Sequence, residues 1–174
     1  MTTQPDHSGS SAPTLRRIRL VVGGFIVALV LSGITAFPLR SEMEQIAAIR
    51  GLEHIAPDDA GSGFDRWILT VRNGLRESYA KYPWLAYGTD WLAFAHLVIA
   101  VFFIGALIDP VRNVWILQAG IIACVLVIPL ALICGAVRQI PIGWRLIDCS
   151  FGVFGVLLLL YSLRLTRSLE YKMG

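Results

Sequence analysis

Four long apolar runs alternate with short polar turns along this chain, and the alternation predicts spans over about residues 18-37, 91-108, 114-137 and 144-163. Each is close to the roughly 20 residues a helix needs to cross a hydrocarbon layer about 30 Å thick. The first run, Leu20 to Phe37, follows Arg16, Arg17 and Arg19 and ends at Pro38. It is longer than the apolar part of a signal peptide and lacks an Ala-x-Ala end, so it reads as an uncleaved first span. Tyr79, Tyr82, Trp84, Tyr87 and Trp91 crowd the entrance to the second, as an interfacial aromatic anchor does. Asp109-Pro110 closes that run, and the short turn after it allows only an antiparallel hairpin. Pro129 lies inside the third and frees the carbonyl of Val125, which predicts a kink. Gly152 and Gly155 in the fourth are small enough to admit a neighbouring helix.

Between the first two spans the periodicity changes. Ser41 and Glu44 have the spacing of a capping box, and Met43, Ile46, Ala47 and Ile49 form a partial apolar stripe. After the turn Asp58 to Gly63, Phe64, Trp67, Ile68, Val71 and Leu75 recur at helical intervals opposite Asp65, Arg66, Arg72, Arg76 and Glu77. Residues of about 41-82 are therefore expected as an interfacial cap, resting in the membrane surface or packed on the spans. The fold class expected is all-α, a four-transmembrane-helix bundle with an amphipathic helical cap between helices 1 and 2. Residues 1-15, rich in Ser, Thr, Gly and Pro, are expected to be a disordered tail, and 16-174 a single membrane domain.

Composition agrees with this pattern: 56% of the 174 residues are hydrophobic and 16% charged. The net charge of +3 comes from scattered basic residues rather than a basic face, which argues against nucleic acid and fits contact with membrane lipids. The Leu39 to Tyr87 segment holds seven of the twelve acidic and six of the fifteen basic residues. Basic clusters at Arg16 to Arg19 and Arg164 to Lys172, with Arg112, favour a cytoplasmic location for both termini. A protein partner or homo-oligomer is compatible with these surfaces, since helix faces meeting lipid and meeting protein are equally apolar.

Connectivity then gathers the ionisable residues of the spans on the capped membrane face: Arg40, Asp90, His96, Arg138, Arg145 and Asp148, with Trp144 beside them. Charged or titratable groups at membrane depth need partners and raise a functional hypothesis. Arg145, at i−3, is the nearest cationic neighbour of Asp148, and sharing a stripe with Gly152 and Gly155 would turn that carboxylate toward packed protein. Two readings follow. In one, the protein is a binding or accessory component, and these groups either lock helix register or form a polar pocket on the extracytoplasmic face for a small ligand or lipid head group. In the other, His96, Asp90 and Asp148 are catalytic acid–base residues of an enzyme acting on a lipid or lipid-linked substrate.

Other chemistries fit less well. Cys134 and Cys149, the two cysteines at comparable depth, lack a Cys-x-x-Cys motif, so a thiol oxidoreductase is disfavoured. A bis-His haem is excluded because His7 and His54 lie outside the spans and leave His96 alone. The first span has no acidic residue of the kind small four-helix drug exporters use. His96, Asp90 and Asp148 carry no metal-binding spacing, so neither a metal nor another cofactor is expected.

The strings YPWLAYGTDWLAFAH, Asp109-Pro110-Val111-Arg112-Asn113 and WRLIDCSFG, with LSGITAFPL upstream, resemble a family of uncharacterised bacterial four-helix integral membrane proteins. The resemblance covers most of the chain beyond the tail and implies four spans in the bacterial inner membrane, with no chemistry attached. The Asp90 to His96 arrangement is also similar to that of VanZ-like membrane proteins, in which the acidic residue and histidine stand closer together.

Overall fold

The computed structural model describes residues 8–173, which are helical with no strand among them. The order is α1 (Ser8–Ala36), α2 (Leu39–Ile49), a 3-10 turn (Pro57–Asp59), α3 (Gly63–Lys81), a second 3-10 turn (Pro83–Leu85) and α4 (Ala86–Ile108). Then come α5 (Val114–Pro129), a π-helical segment (Leu130–Cys134), the short α6 (Gly135–Val137) and α7 (Ile142–Met173). Four stretches are long and apolar enough to cross a membrane: Ala12–Ala36, Pro83–Ile108, Val114–Val137 and Ile142–Lys172, with mean hydropathies from 2.0 to 2.8.

Two ends differ from expectation. The tail expected through residue 15 is helical from Ser8 onward, and residues 1–7 lie outside the described residues. The last helix continues past residue 163 to Met173. Both have the same cause: once an apolar segment has nucleated a helix, each further residue adds a hydrogen bond at little cost, so polar flanks extend it. At 32 residues, α7 is about 48 Å long, well beyond the hydrocarbon thickness.

The chain divides into two compact units, and both α1 and α4 pass from one to the other. In the unit comprising the chain up to Ala28 and from Ile99 onward, α5 and α7 run antiparallel. Three glycines set their separation. A Cβ on Gly152 would come 2.6 Å from the Cys124 carbonyl oxygen, one on Gly155 2.5 Å from the Cys124 sulfur, and one on Gly120 2.8 Å from Leu159 Cδ1 and 2.6 Å from the Phe103 ring of α4. Phe103 of α4 stacks at 4.8 Å on Phe25 of α1, so the glycines on one pair of helices receive the aromatic rings of the other. Arg19 then donates through Nε to the Leu107 carbonyl (3.1 Å) and through Nη2 to that of Ile108 (3.0 Å), which satisfies the orphan end of α4. Asn113 Nδ2 donates to the carbonyls of Gly105 and Asp109 and closes the hairpin turn.

The irregularity expected at Pro129 takes the form of the π segment that follows it. Arg145 Nη1 on α7 donates to the Leu132 carbonyl at 3.4 Å, and the Cys149 thiol points at the Ile128 carbonyl at 3.9 Å. Gln139 turns the chain after α6 with φ 58°, in a reversal closed by Gln139 N to Ala136 O and Ile140 N to Gly135 O.

In the Leu29–Val98 unit, α1 meets α4 at Gly33, where a Cβ would lie 3.0 Å from the Ala93 carbonyl oxygen and 3.1 Å from the His96 Cβ. The cap helices α2 and α3 pack on each other over Ala47, Leu52, Ala60, Ile68 and Leu69, all buried. Arg72, expected on the solvent face of α3, is buried at 4% exposure. Phe64, at the start of the expected apolar stripe, is exposed instead. The face turned toward α2 is centred on residues 68, 69 and 72 rather than on 64, 67 and 71.

The close approach of α5 and α7 predicts opposite outcomes for two glycine substitutions. Gly152→Ala should lower detergent-solubilised stability by about 1–3 kcal/mol through overpacking against backbone. Gly24→Ala, with open space around the added carbon, should be neutral or gain up to about 1 kcal/mol from helix propensity. Thermal melting of the two variants checks both; equal effects would show that the seam is not held by contact at Gly152.

Candidate functional site: the helical cap

The cap begins where α2 starts on the Pro38 carbonyl, which accepts from Glu42 N at 2.9 Å. This start lies ahead of Ser41, so the expected capping box does not form, and the N-cap Pro38 offers no side-chain bond. Glu44 is engaged elsewhere: Arg76 of α3 donates to both of its carboxylate oxygens, Nε to Oε1 and Nη2 to Oε2. This fork-on-fork geometry fixes direction as well as charge.

At its far end α2 stops at a left-handed Gly51 (φ +67°), with Gly51 N bonded to Ala48 O and Leu52 N to Ala47 O. This is a Schellman reversal, and its usual apolar contact is available in the buried pair Ala47 and Leu52. Ser62 caps α3 by accepting from Asp65 N at 3.1 Å and donating to Asp65 Oδ2 at 2.8 Å. Arg50 donates to Asp65 Oδ1 and also lies 5.3 Å from the centre of the Phe64 ring. Two ion pairs, Glu44 with Arg76 and Asp65 with Arg50, thus clamp α2 and the residue after it to α3.

Between the helices is an open hollow of about 600 Å³ lined by Glu44, Gln45, Ala48, Glu53, His54, Arg72 and Arg76. Arg72 forms its inner wall. Its Nη1 donates to the Leu52 carbonyl at 3.2 Å and its Nε to Asn73 Oδ1 at 3.2 Å. The hydrogen bond from Arg76 holds the Glu44 carboxyl below its ordinary range, with further help from the charges of Arg76, Arg72 and Arg40. Of the expected polar cluster, Arg40 is the member whose charge reaches Glu44, although it does not line the hollow. The hydrogen bond from Arg50, followed by that from Ser62, lowers Asp65 in the same way.

The other expected residues take different places. His96 is half-buried, with Nδ1 donating to the Leu92 carbonyl of its own helix at 2.8 Å and its Cβ set against Gly33. Because a carbonyl oxygen only accepts, that bond requires a proton on Nδ1. Asp90 is also half-buried and makes no hydrogen bond or ion pair among the described residues. Six residues apart on one helix, it and His96 are separated by about 120° around the axis and about 9 Å along it, so they do not pair.

In the other unit, Asp148 is exposed, and the expected pairing with Arg145 is absent among the described residues. Arg145 instead runs along Gly135, where an added Cβ would come 2.5 Å from its Cδ, and gives its Nη1 proton to Leu132. The helix seam passes through Cys149, Gly152 and Gly155, and Asp148 falls outside it. Trp144 is half-buried and opens α7 with its backbone N–H on Pro141 O. Arg138 is exposed. No three His, Cys, Asp or Glu side chains among the described residues come together as a metal site.

Glu53, His54, Arg72 and Arg76 were not singled out by the sequence. One signal was present: Arg72 and Arg76 are one turn apart on α3, and Glu44 and Ala48 are one turn apart on the antiparallel α2, so the two faces can meet across a hairpin.

The ion pairs give the cap an acid limit. Glu44 and Asp65 are depressed in the folded state relative to ordinary values of 4.5 and 3.8, so their contribution is complete above those values and is lost as pH falls through the lower folded ones. The protection factors of the α2 and α3 amides, corrected for the pH dependence of intrinsic exchange, should therefore fall below about pH 4. Arg76→Gln should remove the Glu44 part of that dependence and leave the Asp65 part; an unchanged pH profile would show that the pair does not hold α2 in place. Comparison with protein families, with curated proteins and with solved structures finds no match for this chain.

Proposed function

We propose that this is a small multi-pass protein of the bacterial inner membrane, with both termini cytoplasmic, that acts as a binding or accessory component through a cap on its extracytoplasmic face. The observation that carries this reading is the cap hollow: two helices clamped by ion pairs around an open space whose lining is mostly charged and polar. Helices that only rested on lipid head groups would have no need for a buried, backbone-tethered arginine between them.

The orientation rests on the basic residues near Arg16, Arg112 and Arg164, which belong on the cytoplasmic side, and the location also draws on the family resemblance. With four spans, the segment between the first two then faces outward. Lipid covers apolar side chains such as Val101, Phe102, Leu126, Phe151 and Phe154, which are exposed along the spans. The tether of His96 to its own helix and its angular separation from Asp90 favour a structural role for this pair over acid–base catalysis.

Site-directed labelling tests the arrangement. In a background with the three native cysteines replaced by alanine, Asp58→Cys should react with an impermeant maleimide once the outer membrane is opened. Tyr171→Cys, at a position 90% exposed, should react only after the inner membrane is lysed. The reverse pattern would overturn the reading.

A further inference from the structure

Arg72 presents an unusual balance. The residue is 4% exposed, yet the groups that hold its guanidinium, the Leu52 carbonyl and the Asn73 side-chain oxygen, are both neutral. The ion pairs among the described residues are Arg50 with Asp65 and Arg76 with Glu44, so Arg72 has no direct counter-ion. Glu44 is near enough to feel its charge, but Arg76 occupies both of its oxygens. Arg72 Nη2 makes no hydrogen bond among the described residues and is not among the buried polar atoms left without a partner, so it keeps an opening to the hollow. A buried cation without a paired anion is costly, and an oxyanion entering the hollow would relieve that cost.

The opposite charge lies close by. Glu53 directly follows the residue whose carbonyl tethers Arg72; it lines the same hollow, is exposed and has no ion pair among the described residues. Beyond the Glu44 and Arg76 pair, the hollow is therefore lined by the Arg72 guanidinium and the exposed Glu53 carboxylate, with the His54 imidazole beside them. A simple anion would meet Glu53 as a repulsive neighbour, and a simple cation would meet Arg72. A zwitterion satisfies both.

The position of the hollow narrows the chemistry. α2 begins three residues after α1 ends, and α3 leads through one 3-10 turn into α4, so within this unit the hollow is tethered at both sides to membrane-crossing helices. A site tethered in this way to the ends of two spans is within reach of the zwitterionic head groups that surround them. We infer that the hollow binds a phosphoethanolamine group, with its phosphate oxygens on Arg72 and its ammonium on Glu53. Arginine suits the first role because its planar donors match a phosphate edge. The group could be the head of a lipid or a soluble phosphoethanolamine; the chemistry of recognition is shared.

This assignment rests on the cap being a binding module. The test is a calorimetric titration of the full-length protein in phosphatidylcholine nanodiscs, with O-phosphoethanolamine and inorganic phosphate as probes. Saturable binding of phosphoethanolamine is expected. Glu53→Gln should weaken it by about tenfold and leave phosphate binding unchanged or improved, while Arg72→Lys should weaken both probes by about tenfold. Should Arg72→Lys unfold the cap, as seen by circular dichroism, the selective effect of Glu53→Gln still decides. No saturable binding to the unmodified protein, or equal effects of Glu53→Gln on the two probes, would overturn the assignment.

Repeating the titration in discs containing phosphatidylethanolamine distinguishes the sources. A raised apparent Kd identifies the lipid head group as a competitor for the hollow, and an unchanged one identifies a soluble ligand. A null titration alongside the expected labelling pattern removes the ligand and leaves the topology standing. A reversed labelling pattern alongside selective binding does the opposite.

Discussion

Within lipid, apolar burial supplies no net force between helices, because a leucine facing acyl chains is as well solvated as one facing another leucine. What remains is contact, which depends on how closely two backbones can approach. In the α5 and α7 pair that approach is set by Gly120, Gly152 and Gly155, each with another group where a Cβ would be. The Phe25 and Phe103 rings occupy the room those glycines leave, so shape complementarity replaces the hydrophobic effect as the source of specificity. Large apolar side chains exposed elsewhere on the spans are under no such constraint from their own chain.

The same solvent makes each unpaired backbone group expensive, and α5 carries the clearest case. Pro129 removes a donor, the following turn widens into a π segment, and the Leu132 carbonyl within it accepts from Gly135 N with a lone pair to spare. Arg145 reaches across from α7 to that carbonyl. Its stem lies along Gly135, so a glycine again makes the room, here for an alkyl chain rather than a backbone. The charge that sequence proximity assigned to Asp148 is thus spent on the backbone irregularity, and the carboxylate is left on the helix surface.

Runs of apolar residues state a transmembrane helix directly, because length and composition are the physical requirement itself. All four spans were therefore legible, as were the close approach at Gly152 and Gly155 and the irregularity at Pro129. Helix ends were less so: the polar residues after Leu163 and before Thr14 read as stops, yet they continue helices nucleated by their neighbours. The capping box at Ser41 failed because its Glu44 had a stronger partner on another helix, which spacing along one helix cannot reveal. Arg72 was misplaced for a related reason. A charge on an amphipathic stretch is assigned to water by default, whereas here the stripe of burial is displaced from the stripe of hydrophobicity and takes the arginine inward.

That displacement explains why the cap has a hollow at all. Ala47, Leu52, Ala60, Ile68 and Leu69 make a small core, and solvent screening keeps the contribution of the exposed ion pairs modest beside it. The stem of Arg72 completes the packing between α2 and α3, but its head group cannot be covered by further apolar side chains without losing its remaining hydration. A gap next to the guanidinium is therefore the cheaper arrangement. Glu44 makes no ion pair with Arg72, because Arg76 engages both of its carboxylate oxygens. The opening beside Arg72 follows from the use of an arginine as a core residue in a cap too small to bury one.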